Sequence, residues 1–260
     1  HVRSRRQRQM CIRDSVEGAH TAYESVEHLR REPVGLVRLS CPQVMAQTYL
    51  APLLPGYMEK YPKVRLEMSA VDREVDLFEE RFDLALRSRA KIEETAGLVA
   101  KSLGTSRKIL VASPRYLDRV GRPATAHALS GLETLSRPGD IHDGVGRWLL
   151  QDDEGEDVLI SHQPRLITDD LRMQLEAAVN GIGVALLPEP VAAASVNSKD
   201  LEVIPSWTGA THIIHLLYPK PKGMLPSVRS LIDYLSLHLP HIFTAEDSPS
   251  SLHSNEVKSS

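Results

Sequence analysis

The chain has 260 residues, 42% hydrophobic and 25% charged, with a formal charge of −3 and two cysteines. These are the proportions of an ordinary folded protein with room for one large domain or two lobes of about 100 residues each, and the charge argues against a whole-molecule nucleic-acid footprint. No apolar run approaches the roughly 18 residues of a membrane span, no secretory leader pattern opens the chain, and Cys11 and Cys41 form neither a zinc pattern nor a disulfide framework, so a reduced, cytoplasmic setting is expected.

Residues 1–15 carry Arg3, Arg5, Arg6, Arg8 and Arg13 with no apolar period and are expected to be an unstructured basic or foreign tail rather than an arm for nucleic acid. Val16, Ala19, Tyr23 and Val26 then follow 3-4-3 spacing, which predicts the end of a pairing helix over 16–32. Pro33 ends it. Val37-Arg-Leu-Ser40 predicts a first strand closing at Cys41-Pro42. Ala46, Leu50, Leu53, Leu54, Tyr57 and Tyr61 mark one face of a helix from near Gln43, bent at Pro52 and Pro55. Val64, Leu66 and Met68 alternate as a strand, Val75, Leu77 and Phe78 predict a short helix, and Phe82-Asp-Leu-Ala-Leu-Arg87 predicts a buried strand. Strand, helix and strand in succession imply a parallel sheet.

Lys108-Ile-Leu-Val-Ala-Ser-Pro114 is the next strand, and Pro114, Tyr116 and Leu117 open a helical turn where a second lobe begins. Its strands are expected at 129–135, 147–149, 158–160, 165–167 and 184–187, with polar loops near 139–146 and 151–156. The stretch from Pro164 to Pro188 is the most ordered in pattern. Arg165-Leu-Ile167 runs into Thr168 and Asp169, either of which is suited to cap a helix. Leu171, Leu175, Ala178 and Val179 recur at helical spacing, Asn180-Gly181 stops the helix, and Val184-Ala-Leu-Leu187 is a buried strand. Gly181 and Gly183 follow a helix and precede a strand, the reverse of a dinucleotide loop. His212-Ile-Ile-His-Leu-Leu-Tyr218 forms a later strand on which His212 and His215 point to opposite faces. Val228, Leu231, Ile232, Leu235 and Leu239 stripe a last helix that returns to the first lobe, and the polar residues 244–260 are expected to be disordered.

Five segments carry a recognisable pattern in order: Pro33-Val-Gly-Leu-Val-Arg-Leu-Ser40, Tyr61-Pro62-x-Val64, Phe82-Asp-Leu-Ala-Leu-Arg87, Val111-Ala-Ser-Pro-x-Tyr-Leu117, and Ala177-Ala-Val-Asn-Gly-Ile-Gly-Val-Ala-Leu-Leu-Pro188. Together they resemble the effector-binding domain of LysR-type transcriptional regulators over residues 33 to 243. The resemblance implies an α/β fold like that of periplasmic binding proteins, with lobe I from 33–111 plus 218–243, lobe II from 112–217, two crossover segments and a ligand cleft between them. It implies a small-molecule effector, a homodimer or homotetramer, no enzymatic activity, no cofactor and no metal. DNA contact would come through a winged helix-turn-helix headgroup that the arginine-rich arm replaces here.

The family pattern places the ligand between Pro42, Gln43 and Val44 in lobe I and Thr168 and Asp169 in lobe II. Two helix starts would aim free N–H groups into that space and favour a carboxylate. Ser69, Arg87 and Ser136 lie at strand ends within reach, with Arg87 the natural anion partner. The alternative for Arg87 is a salt bridge to Asp83 or Glu80, and for Asp169 a plain helix cap. Asp140, His142 and Asp143 share a loop and are read as a solvated turn rather than a metal site. A stand-alone solute-binding protein and an enzyme on the same two-lobed scaffold are the competing functions. Neither a Gly-x-Ser-x-Gly elbow, a His-Glu-x-x-His pair nor a Walker loop occurs.

Overall fold

The computed structural model describes residues 32–93, 95–220 and 223–243. The predicted tail at 1–15, the pairing helix up to residue 31 and the tail at 244–260 lie outside them. Lobe I opens with β1 (Gly35–Cys41) and α1 (Gln43–Met45), which continues as a π-helical turn over Ala46–Leu50. Pro52 and Pro55 lack the N–H groups that a continuous helix would need. The chain therefore closes one wide turn, with Ala51 N–H on the Ala46 carbonyl, and restarts as α2 (Leu54–Lys60). β2 (Val64–Ala70) and β3 (Leu84–Arg89) both run parallel to β1.

The long β4 (Leu98–Ala112) then leads out to lobe II, which holds α3 (Pro114–Val120), α4 (Ala126–Leu129), β5 (Thr134–Ser136) and a 3-10 turn at Pro138–Asp140. It continues through β6 (Ile141–His142), β7 (Val145–Asp152), β8 (Asp157–His162), β9 (Pro164–Ile167), α5 (Leu171–Val179), β10 (Val184–Pro188) and α6 (Glu189–Asn197). β11 (Glu202–Pro219) returns the chain to lobe I, where α7 (Pro226–Phe243) closes it.

The strands order as β2-β1-β3-β11-β4-β10-β5-β9. The two halves are parallel sheets joined through the antiparallel pair of β4 and β11, each long enough to belong to both lobes. Register shifts in that pair at Ile204/Thr208, Gly209/His212 and Ile214/His215 bend the crossing. Apolar packing separates the same way. Leu39, Leu50, Leu86, Leu103, Ile214, Leu216 and the stripe of α7 form one cluster; Ile109, Val111, Leu135, Leu175 and Leu187 form a second, and Leu110, Trp148, Ile160 and Ile204 a third on the other face of lobe II. Side chains change lobe between Leu103 and Ile109 on β4, so the boundary placed at 111/112 from sequence falls inside a strand.

Four sequence expectations give way. The short helix around Val75 to Phe78 is a set of turns: the Asp76 carboxylate takes the Phe78 and Glu79 N–H groups, Leu77 alone is buried, and Phe78 is exposed. Residues 129–135 divide into the end of α4 and the three-residue β5, because Thr125 caps a helical turn by accepting from Ala128 N–H. α6 was not foreseen; Pro190 in its first turn starts it and an alanine run sustains it. β11 begins ten residues before His212, and Ala210, Thr211 and their neighbours carry no apolar period to announce it.

Candidate functional site in the interlobe cleft

Each lobe presents the carboxyl ends of its parallel strands to the other, the place where open α/β sheets bind ligands. In lobe I, Ser40 on β1 pairs with Ser69 on β2 and with Ala85 on β3, and Arg87 lies two residues further on the same face as Ala85. Arg87 is only 8% exposed and donates at 2.8 Å to both the Ser40 hydroxyl and the Leu86 carbonyl. Burial lowers its pKa, with Cys41, Asp72 and Glu74 opposing the shift and Arg89 adding to it. The alternative salt bridges of Arg87 do not form: the Asp83 carboxylate accepts the Arg38 N–H and Glu80 pairs with Arg73.

Pro42 precedes α1 with extended backbone and no side-chain cap, so the first turn at Gln43 and Val44 keeps unsatisfied N–H groups. Val44 touches both the lobe I cluster and the second cluster in lobe II. The β1–α1 turn therefore abuts the opposite lobe.

In lobe II, β5 ends at Ser136, and its carbonyl accepts the Thr168 N–H at 3.0 Å, bringing those two sequence-predicted residues together. Neither Thr168 nor Asp169 caps α5. Asp170 does, accepting from the N–H groups of Arg172 at 2.8 Å and Met173 at 3.2 Å. The Thr168 hydroxyl accepts instead from Asp170 N–H and its carbonyl takes the Gln174 amide, so Thr168 forms the turn that delivers the cap. Asp169 is exposed, one position too early to cap. The helix ends in a Schellman motif, with Gly181 N–H on Ala178, Ile182 N–H on Ala177 and Gly181 at φ +76°.

Lys108, Arg137 and His212, none of them assigned to the site from sequence, stand nearby. Lys108 is pushed down mainly by burial and next by Arg137, with Asp140 opposing. His212 is pushed down by burial and then by Lys108 and Arg137, and its Nδ1 lies 3.5 Å from the Ser88 hydroxyl. Lys108 therefore joins a strand end of lobe II to His212, just beyond the end of β3 in lobe I. His215 looks elsewhere, into the field of Arg89 and Arg87. Two buried donors here have no partner, the Ser136 Oγ of a residue 1% exposed and the Arg137 Nε. Such groups carry a desolvation cost that a bound acceptor would relieve. The one sequence signal for Arg137 was its place directly after a buried strand end, and Lys108 was hidden as the first residue of an apolar run. Asp140, from the predicted loop cluster, accepts from Arg137 N–H, and among the described residues no acidic, histidine or cysteine group is spaced to hold a metal.

With this geometry in place, comparison with known proteins is decisive. A family model described as the LysR substrate binding domain matches residues 30–240. The chain belongs to the LysR substrate-binding domain family. An HTH-type transcriptional regulator of Xanthomonas campestris pv. campestris is 30% identical over 84% of this chain, and the chain spans 63% of that relative's length. The regulator PtxR of Pseudomonas aeruginosa is 27% identical over 84% of the chain and 69% of its own length. Among solved structures, the regulatory domain of AphB from Vibrio vulnificus superposes with a TM-score of 0.68 at 25% identity, covering 80% of this chain and all of that one. The CrgA regulatory domain of Neisseria meningitidis gives 0.70 at 24% identity over 80% of the chain and all of its own, which supports the two-lobed fold. This LysR chain thus corresponds to the substrate-binding part of HTH-type regulators that are longer than it is. No helix among its described residues is long and apolar enough to cross a membrane.

Proposed function

We propose that this LysR domain senses a small anionic organic metabolite held between Pro42, Gln43 and Val44 of lobe I and Thr168 of lobe II, with Ser69 and Arg87 on one side and Ser136, Lys108 and Arg137 on the other. The observation that carries this reading is the cationic waist with two unpartnered buried donors at its edge. Cations removed from water and left without full partners favour an anion strongly. Asp169 is outside this set in any direct role, since its exposed carboxylate would repel such a ligand. Binding is proposed to shift the lobes about β4 and β11, to act through a homodimer or homotetramer in the cytoplasm, and to reach DNA through a headgroup of the kind HTH-type relatives are named for. No bond of the ligand is broken.

Gln43→Leu with Thr168→Leu, which crowd both sides of the cleft with apolar bulk, tests this. A thermal shift produced in the parent protein by a small organic acid is expected to vanish while the unliganded melting temperature holds within a few degrees. An undiminished shift would remove the ligand from this cleft.

A further inference from the structure

A cavity among the described residues lies outside that cationic waist. It measures about 1020 Å³ and lies between α6, the crossing strands β4 and β11, and the end of α7. Arg107, Lys108 and Ile109 alternate along β4: Arg107 bonds Glu189 on α6, Ile109 packs in the α5–α6 cluster, and Lys108 between them points to the cationic group on the opposite face. One strand therefore divides two sites of different chemistry.

The walls of the cavity are mainly apolar, from Ile109, Val196, Leu201, Val203, Ile242 and Phe243. The charges at its rim are largely satisfied, with Arg107 bidentate on Glu189 and Glu202 bidentate on Arg122. Thr105, Asn197, Lys199 and Thr211 also line it but are exposed to water, and one uncharged polar residue is buried. Ser106 lines the cavity, is 7% exposed, and its Oγ has no hydrogen-bond partner, the neighbouring Tyr49 hydroxyl approaching it without good geometry. Ligand sites typically combine an apolar wall with a few placed polar groups and occupy some 300–1,000 Å³.

We infer that this cavity is a second ligand site, which takes an uncharged, largely apolar small molecule whose single hydroxyl or carbonyl bonds Ser106 Oγ. Its position between an element of each lobe makes it separate from the anion cleft in both place and chemistry, so the inference stands whether or not the cleft reading does.

The probe is 4-heptylphenol, titrated calorimetrically into the 260-residue chain against octanoate, which has a comparable tail and an obligatory charge. One-to-one binding of the phenol with a Kd on the order of 10 µM and at least about tenfold weaker binding of octanoate are expected. Ala193→Trp, which fills the cavity from α6, is expected to abolish phenol binding. Ser106→Ala, which leaves the walls intact and decides the matter should the tryptophan variant fail to fold, is expected to weaken it about five- to tenfold. Absence of saturable binding, or equal phenol affinity in Ser106→Ala, overturns the proposal. Phenol binding that disappears as the protein dimerises at higher concentration would give the cavity to a second copy and likewise overturn it.

Discussion

Asp169 and Asp170 stand side by side, and one position decides which of them holds a helix. Asp170→Ala removes two bonds to first-turn N–H groups and is expected to cost about 1 kcal/mol of stability, whereas Asp169→Ala should change it by less than about 0.5 kcal/mol. Urea unfolding of the two variants checks this, and equal losses would contradict the cap assignment. Gly183 is a glycine for a different reason from the αL residue Gly181: an added Cβ would meet the Glu133 carbonyl backbone. His162 supplies a pH handle. Burial pulls its imidazole down from 6.5 to about 4 against a weak opposing pull from Asp140. Its folded state therefore binds fewer protons than the unfolded chain between those values, and its contribution to stability is present above about pH 6.5 and lost as pH falls through about 4. The ring packs against Trp148 at a tilt of 43° with centroids 4.0 Å apart, so Trp148 fluorescence read with Trp207→Phe should change in that acid window and become pH-independent in His162→Gln. A midpoint near the ordinary imidazole value would contradict the assigned burial.

At the scale of elements, α7 shows what sequence reveals well. Leu231, Leu235 and Leu239 face the lobe I cluster while Leu237 is 60% exposed. Leu235→Ala should cost roughly 2–5 kcal/mol and Leu237→Ala close to nothing, measured by chemical denaturation. The strands of each parallel half, α5 and its glycine stop were readable for the same reason, since an apolar period or a turn residue must appear wherever a face is buried locally. β4 and β11 were readable only where they enter a core. Between them, Lys101, Ser102, Gly104, Thr105 and Ser106 face Leu216, His215, Ile214, Ile213 and His212 in a ladder whose stability comes from pairing with a strand about a hundred residues away, which no local pattern encodes. The candidate cleft divides likewise. Gln43 and Thr168 sit at helix starts with local signals, while Lys108, Arg137 and His212 become a group only when the two long strands cross.

Over the whole molecule, two lobes joined by two strands set a cationic group at their waist, and protonation couples to what they hold. Burial, Lys108 and Arg137 keep the His212 imidazole neutral below its usual range. A bound anion would favour its charged form, so binding should take up a proton and anion affinity should rise as pH falls from about 7.5 to 5.5, where small carboxylates remain mostly ionised. His212→Asn is expected to flatten that dependence in calorimetric titrations, and an unchanged slope would place the titrating group elsewhere. The most direct measurement is isothermal titration of a panel of three- to eight-carbon mono- and dicarboxylates against the parent chain and against Lys108→Gln with Arg137→Gln. A one-to-one ligand is expected whose methyl ester does not bind and whose affinity drops at least about thirtyfold when both cations are neutralised. An acid that binds the doubly neutralised protein as tightly as the parent would contradict that expectation.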